Sequence, residues 1–237
     1  INKAASSDIV VFIGGLDYTQ EGETLDRTTA STELPGLQQM LINLLASVNP
    51  NIIVVLESGG IVSLSQCNQN IKGLIYGFYP GQEQGHAIAD VIFGDYNPGG
   101  KLPVTMPADD SQLPPRNNDF NDDWGCGYRW FDKQAITPAY AFGFGLSYTN
   151  FTYNSISILN PDATEGETIS IDISLTNYGS REGDEIVQLY VTHPGGVIPM
   201  PVKQLKGFKR VHVNSGQTIT VSFKLSPEDL YVYDEIT

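Results

Sequence analysis

The sequence is short of cysteine, of positive charge and of long apolar runs, and each shortage removes a class of protein. Only 13 lysines and arginines stand against 27 aspartates and glutamates, a formal net charge of −14 in 237 residues. Nucleic-acid recognition draws on Lys and Arg to neutralise phosphates, so it is disfavoured. The charge suits a neutral ligand, a cation, or solubility alone. The longest apolar runs, such as Ile52 to Leu56, fall far short of the ~20 residues of a helical membrane span. Two cysteines, Cys67 and Cys126, form no CxxC metal or redox pattern; a disulfide and two unrelated buried thiols both remain open. No basic segment followed by an apolar one opens the chain, so no signal peptide is expected within it. Both ends read as the interior of a longer protein.

What is present is enough apolar material for packed cores: 41% hydrophobic against 17% charged residues, which argues against disorder. The length favours two domains. Asp8 to Gly14 and Ile52 to Glu57 read as buried strands ending in glycine pairs, and Lys72 to Tyr79 as a third. Leu37, Met40, Leu41, Leu44, Leu45 and Val48 share one helical face, with Pro35 suited to the first turn. Gly81 to Phe93 reads as a second helix with Glu83 at its positive end and Gly94 as its stop. Lys101 to Met106 resembles a further strand. The order β-α-β-β-α-β implies an α/β sandwich, a largely parallel sheet with flanking helices, over 1–145. Residues 107–135, rich in Asp, Asn, Pro and aromatics, read as a long surface excursion.

From about Phe142 the period becomes two. Ile169, Ile171, Ile173 and Leu175 alternate with polar residues, as do Val187, Leu189 and Val191, and Ile219, Val221, Phe223 and Leu225. Turn signals at Asn177-Tyr-Gly179, Pro194-Gly-Gly196 and Asn214-Ser-Gly216 separate them. Such spacing means an antiparallel sandwich over 146–237. About five or six strands are visible where such a fold needs about seven, so truncation at the C-terminus is expected.

Gly15 to Arg27 gathers Asp17, Glu21, Glu23 and Asp26 beside one Arg, just past the first strand. Ligands of open α/β sheets bind at that edge; closely spaced carboxylates are expected to raise the pKa of at least one of them, and a carboxyl group kept protonated can act as a general acid. A solvated acidic loop is the plainer reading; a calcium site is a third, without the spacing of a known calcium loop. Gly14-Gly15, Gly59-Gly60 and Gly99-Gly100 match no phosphate-binding fingerprint, so no cofactor is expected and they read as sharp turns. His86, His193 and His212 share no metal-ligand spacing, and no metal is expected. Asp90 reads as a solvated helix residue. Trp124, Tyr128, Trp130, Phe131 and Tyr140 could wall a sugar pocket or pack a loop down. Asn150-Phe-Thr152 is a glycosylation sequon, relevant only to a eukaryotic secretory route.

Several motifs in order resemble glycoside hydrolase family 3: Glu21-Gly-Glu-Thr-Leu-Asp-Arg27, Leu34-Pro-Gly-x-Gln38, Tyr79-Pro-Gly-Gln-Glu83, Gly94-Asp-Tyr-Asn-Pro-Gly-Gly-Lys-Leu-Pro103, Gly127-Tyr-Arg129 and Phe142-Gly-Phe-Gly-Leu-Ser-Tyr-Thr149. Glu182-Gly-Asp-Glu-Ile-Val-Gln-Leu-Tyr190 with Leu205-Lys-Gly-Phe208 resembles the family's fibronectin type III-like domain, an immunoglobulin-like sandwich. The resemblance implies exo-acting β-glucosidase or β-xylosidase activity on oligosaccharides with retained configuration. It also implies a TIM barrel, in the same protein or a companion chain, supplying the nucleophile. Glu23, spaced from Asp26-Arg27 as in the family pattern, is implied as acid/base, with Glu21 as fallback and Asp26 and Arg27 shaping the loop or binding substrate. This chain alone would then be inactive. Secretion or periplasmic export would follow from polymer-derived substrates. A non-catalytic carbohydrate-binding or scaffolding module is the competing expectation.

Overall fold

The computed structural model describes residues 1–22, 27, 31–115, 126–194 and 200–231. Glu23, Asp26 and Trp124, singled out above, lie outside the described residues. The chain divides into two compact units: 1–89 with 104–118 and 137–141, and 90–103 with 119–136 and 142–237.

Among its described residues the first unit is built on three parallel strands, β1 (Val10–Gly15), β2 (Ile52–Glu57) and β3 (Gly73–Tyr76), in the order β1-β2-β3. Ile52, Val54, Val55 and Leu56 of the central strand are wholly buried, as expected of a strand inside a parallel sheet. A short α1 (Asn2–Ala5) precedes β1, and α2 (Gln38–Val48) connects β1 to β2. The core joins Ile42 of α2 to Ile52, Val54, Leu56, Leu16, Leu34, Val62, Leu64 and Cys67.

Two expectations are corrected here. The apolar stripe of α2 is real, but Leu37, Met40, Leu41 and Leu44 are exposed, while Gln39 and Ile42 face inward with Leu45 and Ala46 against the core. Two glutamines set the helix rotation. The Gln38 amide brackets Gly15, accepting from its N–H at 2.9 Å and donating to its carbonyl at 2.8 Å. Buried Gln39 donates to the Glu33 carboxylate and accepts from the Gln66 N–H at 3.0 Å. Satisfying buried amides outranks burying every leucine. Lys101 to Met106 is not a strand either. Pro103 offers no N–H, Leu102 exchanges hydrogen bonds with Phe144 and Gly143, and Met106 makes only an isolated bridge to Tyr140.

Helix α3 (Gln84–Phe93) follows β3 and ends at Gly94; His86 on it pairs with Glu83 at 2.8 Å, and Asp90 is exposed. Among the described residues of the second unit α4 (Gly127–Lys133) precedes five antiparallel strands. They are β4 (Phe151–Ile158), β5 (Ile169–Asn177), β6 (Gly183–Val191), β7 (Gln204–Val213) and β8 (Thr218–Leu225), followed by α5 (Pro227–Leu230). They form the sheets β4-β5-β8 and β6-β7. Most of the alternating residues read from the sequence are the core: Ile171, Ile173, Leu175, Val187, Leu189, Val221, Phe223 and Leu225 are buried, with Val213, while Ile169, Val191 and Ile219 are partly buried against them.

Two polar devices lock this unit. Asn177, wholly buried, uses its full bonding capacity: its amide donates to the carbonyls of Arg181 (2.9 Å) and Val213 (3.0 Å) and accepts from Gly179 N–H (3.0 Å) and Thr149 Oγ1 (2.7 Å). Lys101 pairs with the buried Glu185 at 3.1 Å and donates to Gly145 O, and Tyr153 Oη donates to the same carboxylate. Burial first, and then that carboxylate, pushes the Tyr153 hydroxyl far up. Of the aromatics, Tyr140 bonds Asn68 at 2.7 Å and lines a cleft of about 280 Å³, while Tyr128 and Phe131 pack. Tyr128 lies 4.9 Å from Phe142 and its hydroxyl accepts from Leu205 N–H, while Phe131 is buried. Both cysteines are free. Cys67 is buried, its thiol pushed up to about 11 by burial and then by Glu33, and Cys126 is exposed.

Truncating Ile42 to Ala is expected to lower unfolding stability by about 2–5 kcal/mol, measured by denaturant titration. At the surface of the second unit Asp184 bonds His212 Nδ1 (2.8 Å) and Arg210 Nε (2.7 Å), Arg210 reaches Tyr96 Oη (2.7 Å), and Glu182 lies 3.8 Å from His212 Nε2. The hydrogen bond with Asp184 raises His212, and the same bond lowers Asp184. The raised His212 stabilises fully below its unfolded value of ~6.5 and ceases to as pH rises through its folded one. The lowered Asp184 stabilises above ~3.9 and ceases to as pH falls through its folded one. Thermal melting is therefore expected to decline slightly from pH 6 to 8, and His212→Gln to remove that slope.

Candidate active site

All three strands of the first unit point their carboxyl ends at one edge, and the loops leaving them meet at Glu21. Glu21 follows β1; Gly59 and Gly60 follow β2; Tyr79 follows β3. The Glu21 carboxylate accepts from Gly59 N–H at 2.9 Å and from Tyr79 Oη at 3.0 Å, both on Oε2. Its Oε1 faces Arg27 Nη2 at 3.9 Å, the two side chains being 24% and 18% exposed.

The seat is braced from below. Ser58 Oγ donates to Gly60 O at 2.8 Å, and the Tyr76 hydroxyl, 2.6 Å from Ser58 Oγ, donates its one hydrogen within this same cluster. Burial raises the Tyr76 hydroxyl. Burial, followed by the hydrogen bond to Glu21, raises that of Tyr79. Phe78, between β3 and Tyr79, has φ 54 and meets Tyr76 edge-on at 4.6 Å. A left-handed non-glycine residue is strained and persists only where its surroundings impose it. A cleft of about 360 Å³ beside the start of the loop is lined by Gly14, Asp17, Gln20, Pro35, Gln38 and Glu57. Asp17 caps its own turn at Thr19, whose side-chain bond holds its carboxyl below the usual range.

Of the residues singled out in the sequence, Glu21 and Arg27 are brought together at this edge; Glu23 and Asp26 lie outside the described residues. Tyr79 and the Gly59 N–H were not identified from the sequence as partners of the loop. Their only signals were Tyr79-Pro-Gly and the glycine pair, which read as a family mark and a turn. Among the described residues no group of three His, Cys, Asp or Glu side chains could hold a metal, and no helix is long and apolar enough to cross a membrane.

Fold and site define an open α/β unit with an acidic carboxyl-edge loop, carried in one chain with a fibronectin-like β-sandwich. Residues 1–148 match the glycosyl hydrolase family 3 C-terminal domain and residues 185–237 the fibronectin type III-like domain. The chain belongs to glycosyl hydrolase family 3. It is 38% identical to a β-xylosidase of Formosa agariphila, over 99% of this chain and 32% of that protein. It is 37% identical to thermostable β-glucosidase B of Acetivibrio thermocellus, over 98% of this chain and 31% of that one. The crystal structure of a family 3 β-glucosidase from Bifidobacterium adolescentis superposes with a TM-score of 0.90 at 32% identity, covering 98% of this chain and 35% of that one. The chain thus spans about a third of the length of the curated relatives it matches.

Gly15 shows how tightly this edge is built. Its φ is 151, and a Cβ there would sit 1.8 Å from the Glu57 carbonyl oxygen. Gly15→Ala is expected to cost on the order of 3 kcal/mol or more, since β1 and β2 must separate to admit the methyl group. Gly81→Ala, at φ 84 with nothing within 4 Å, is expected to cost only the left-handed backbone term of about 1–2 kcal/mol. Thermal melts of the two variants check the difference.

Proposed function

We propose that this chain is the acid/base part of an exo-β-glycosidase that removes terminal non-reducing glucosyl or xylosyl residues from oligosaccharides with retention of configuration. Glu23 is the general acid/base, Asp26 and Arg27 shape its loop or touch substrate, and a TIM-barrel domain elsewhere in the protein or in a companion chain supplies the nucleophile. The domain carrying Glu23 ends at about 145 and the sandwich begins at 146. Secretion or periplasmic export is part of the same proposal.

One observation carries it. The sequence Glu23-Thr-Leu-Asp-Arg27 has the family spacing, and its flanking Glu21 and Arg27 are fixed at the carboxyl edge of a parallel sheet, where open α/β folds bind ligands. Retention needs two carboxyl groups about 5–5.5 Å apart, one attacking and one donating a proton. A loop at a strand edge can present the donor to the mouth of a barrel, where βα loops carry catalysis. The names of the relatives, β-glucosidase and β-xylosidase, agree in substrate class.

In the full protein, Glu23→Gln is expected to lower turnover of aryl β-glucosides or β-xylosides on the order of 10²–10⁴-fold. Azide should rescue Glu23→Ala by forming a glycosyl azide of retained configuration. An unchanged rate would remove Glu23 from the mechanism. Calorimetric binding of cello- or xylo-oligosaccharides by this chain alone would instead favour a non-catalytic binding module.

A further inference from the structure

We infer that Glu21 is not a second proton donor but the positioning residue of the acid/base loop, its carboxylate seated on the Gly59–Gly60 turn and capped by Tyr79 and Arg27. This rests on the assignment of Glu23 as acid/base.

The geometry is that of an anchor. A proton donor must keep one oxygen free to face the glycosidic oxygen. Here Oε2 already accepts from Gly59 N–H and Tyr79 Oη, and Oε1 faces the Arg27 guanidinium. The seat is cut to the carboxylate. A Cβ on Gly60 would stand 2.7 Å from Glu21 Oε1 and 3.4 Å from Arg27 Nη2, and one on Gly59 would stand 2.9 Å from Tyr79 Cε2 and 3.3 Å from Glu21 Oε1. The seat is also stiff, because Ser58 and Tyr76 hold the Gly60 carbonyl and the imposed left-handed Phe78 delivers Tyr79.

Glu21 and Arg27 are the two ends of the segment that contains Glu23, and their side chains face each other across 3.9 Å. One carboxylate therefore ties both ends of that segment to the turn after β2 and to Tyr79 in the loop after β3. Charge-assisted hydrogen bonds are the stronger kind, and a reacting group misplaced by about 1 Å loses about 10²-fold in rate. Tying down the ends of the segment is how the rest of the domain can hold its acid in register with a substrate bound mostly elsewhere.

The test uses the full protein and kcat/KM on two aryl glycosides of the same sugar. The phenyl glycoside needs its leaving group protonated; the 2,4-dinitrophenyl glycoside does not. Glu21→Ala is expected to lower kcat/KM on the phenyl glycoside about a hundredfold. Tyr79→Phe, which removes one hydroxyl from an exposed ring, is expected to lower it about tenfold, the worth of one hydrogen bond to a charged group. Both should leave the dinitrophenyl glycoside nearly unchanged, and azide should accelerate neither. Losses equal on the two substrates, or no loss, in either folded variant would overturn the inference, as would azide rescue of Glu21→Ala, which would make Glu21 the proton donor. If Glu21→Ala does not fold, Tyr79→Phe decides alone. Glu23→Gln run alongside separates the two claims. If it lacks the leaving-group-dependent loss, the acid/base assignment of Glu23 fails; if it shows the loss while the Glu21 and Tyr79 variants do not, only the anchor fails.

Discussion

A carboxylate drawn partly out of water has to be met by donors, and that requirement organises the carboxyl edge of the first unit. Glu21 collects a backbone N–H from the loop after β2, a phenol from the loop after β3 and a guanidinium from farther along its own loop. Three loops that a parallel sheet merely brings near one another are thereby joined through a single side chain. The joint works only because the turn it rests on carries no Cβ, and because that turn is held from beneath by Ser58 and Tyr76. The sheet, the Gly59–Gly60 turn, Tyr79 and the two described residues Glu21 and Arg27 form one connected polar unit.

The second unit uses the same economy with different groups. Asn177 satisfies four partners from a wholly buried position, joining the end of β5 to the end of β7 and to Thr149. Lys101 and Glu185 form a buried ion pair supported by Tyr153 and Gly145. Pairs of this kind add little net stability over a hydrophobic substitute, but each partner is costly to leave alone. They fix which segments lie together, while the alternating apolar residues of β5, β6 and β8 provide the bulk of the burial.

Much of this was legible in the sequence. Period-two alternation gave most of the sandwich core, though not Val213, because in a half-buried strand the side-chain pattern is the packing pattern. The strands of the parallel sheet were legible as short apolar runs closed by glycine. The orientation of α2 was not. Its leucine stripe reads as a core face, yet Gln38 and Gln39 rotate the helix by bonding to Gly15, Glu33 and Gln66, contacts 6 to 27 residues away in sequence. The segment from Lys101 to Met106 was misread for a local reason: Pro103 removes a donor that a paired strand needs. The candidate site was half legible. Spacing marked the acidic loop, but the partners of Glu21 lie 38 and 58 residues away, and no spacing rule connects a glycine turn and a tyrosine to one carboxylate.

The outward stripe of α2 has a bearing on how such a domain is handled. Leu37, Met40, Leu41 and Leu44 form a ridge of oil on one side of a helix, and Val11 and Ile13 of the edge strand β1 are also bare. Water wets such a surface poorly, and an unpaired strand edge offers a template for the wrong neighbour. Cut free from the remainder of its protein, this domain would be a colloidally sticky particle whose shelf life is set by its skin rather than by its core, with its surplus of negative charge as the main brake on clumping.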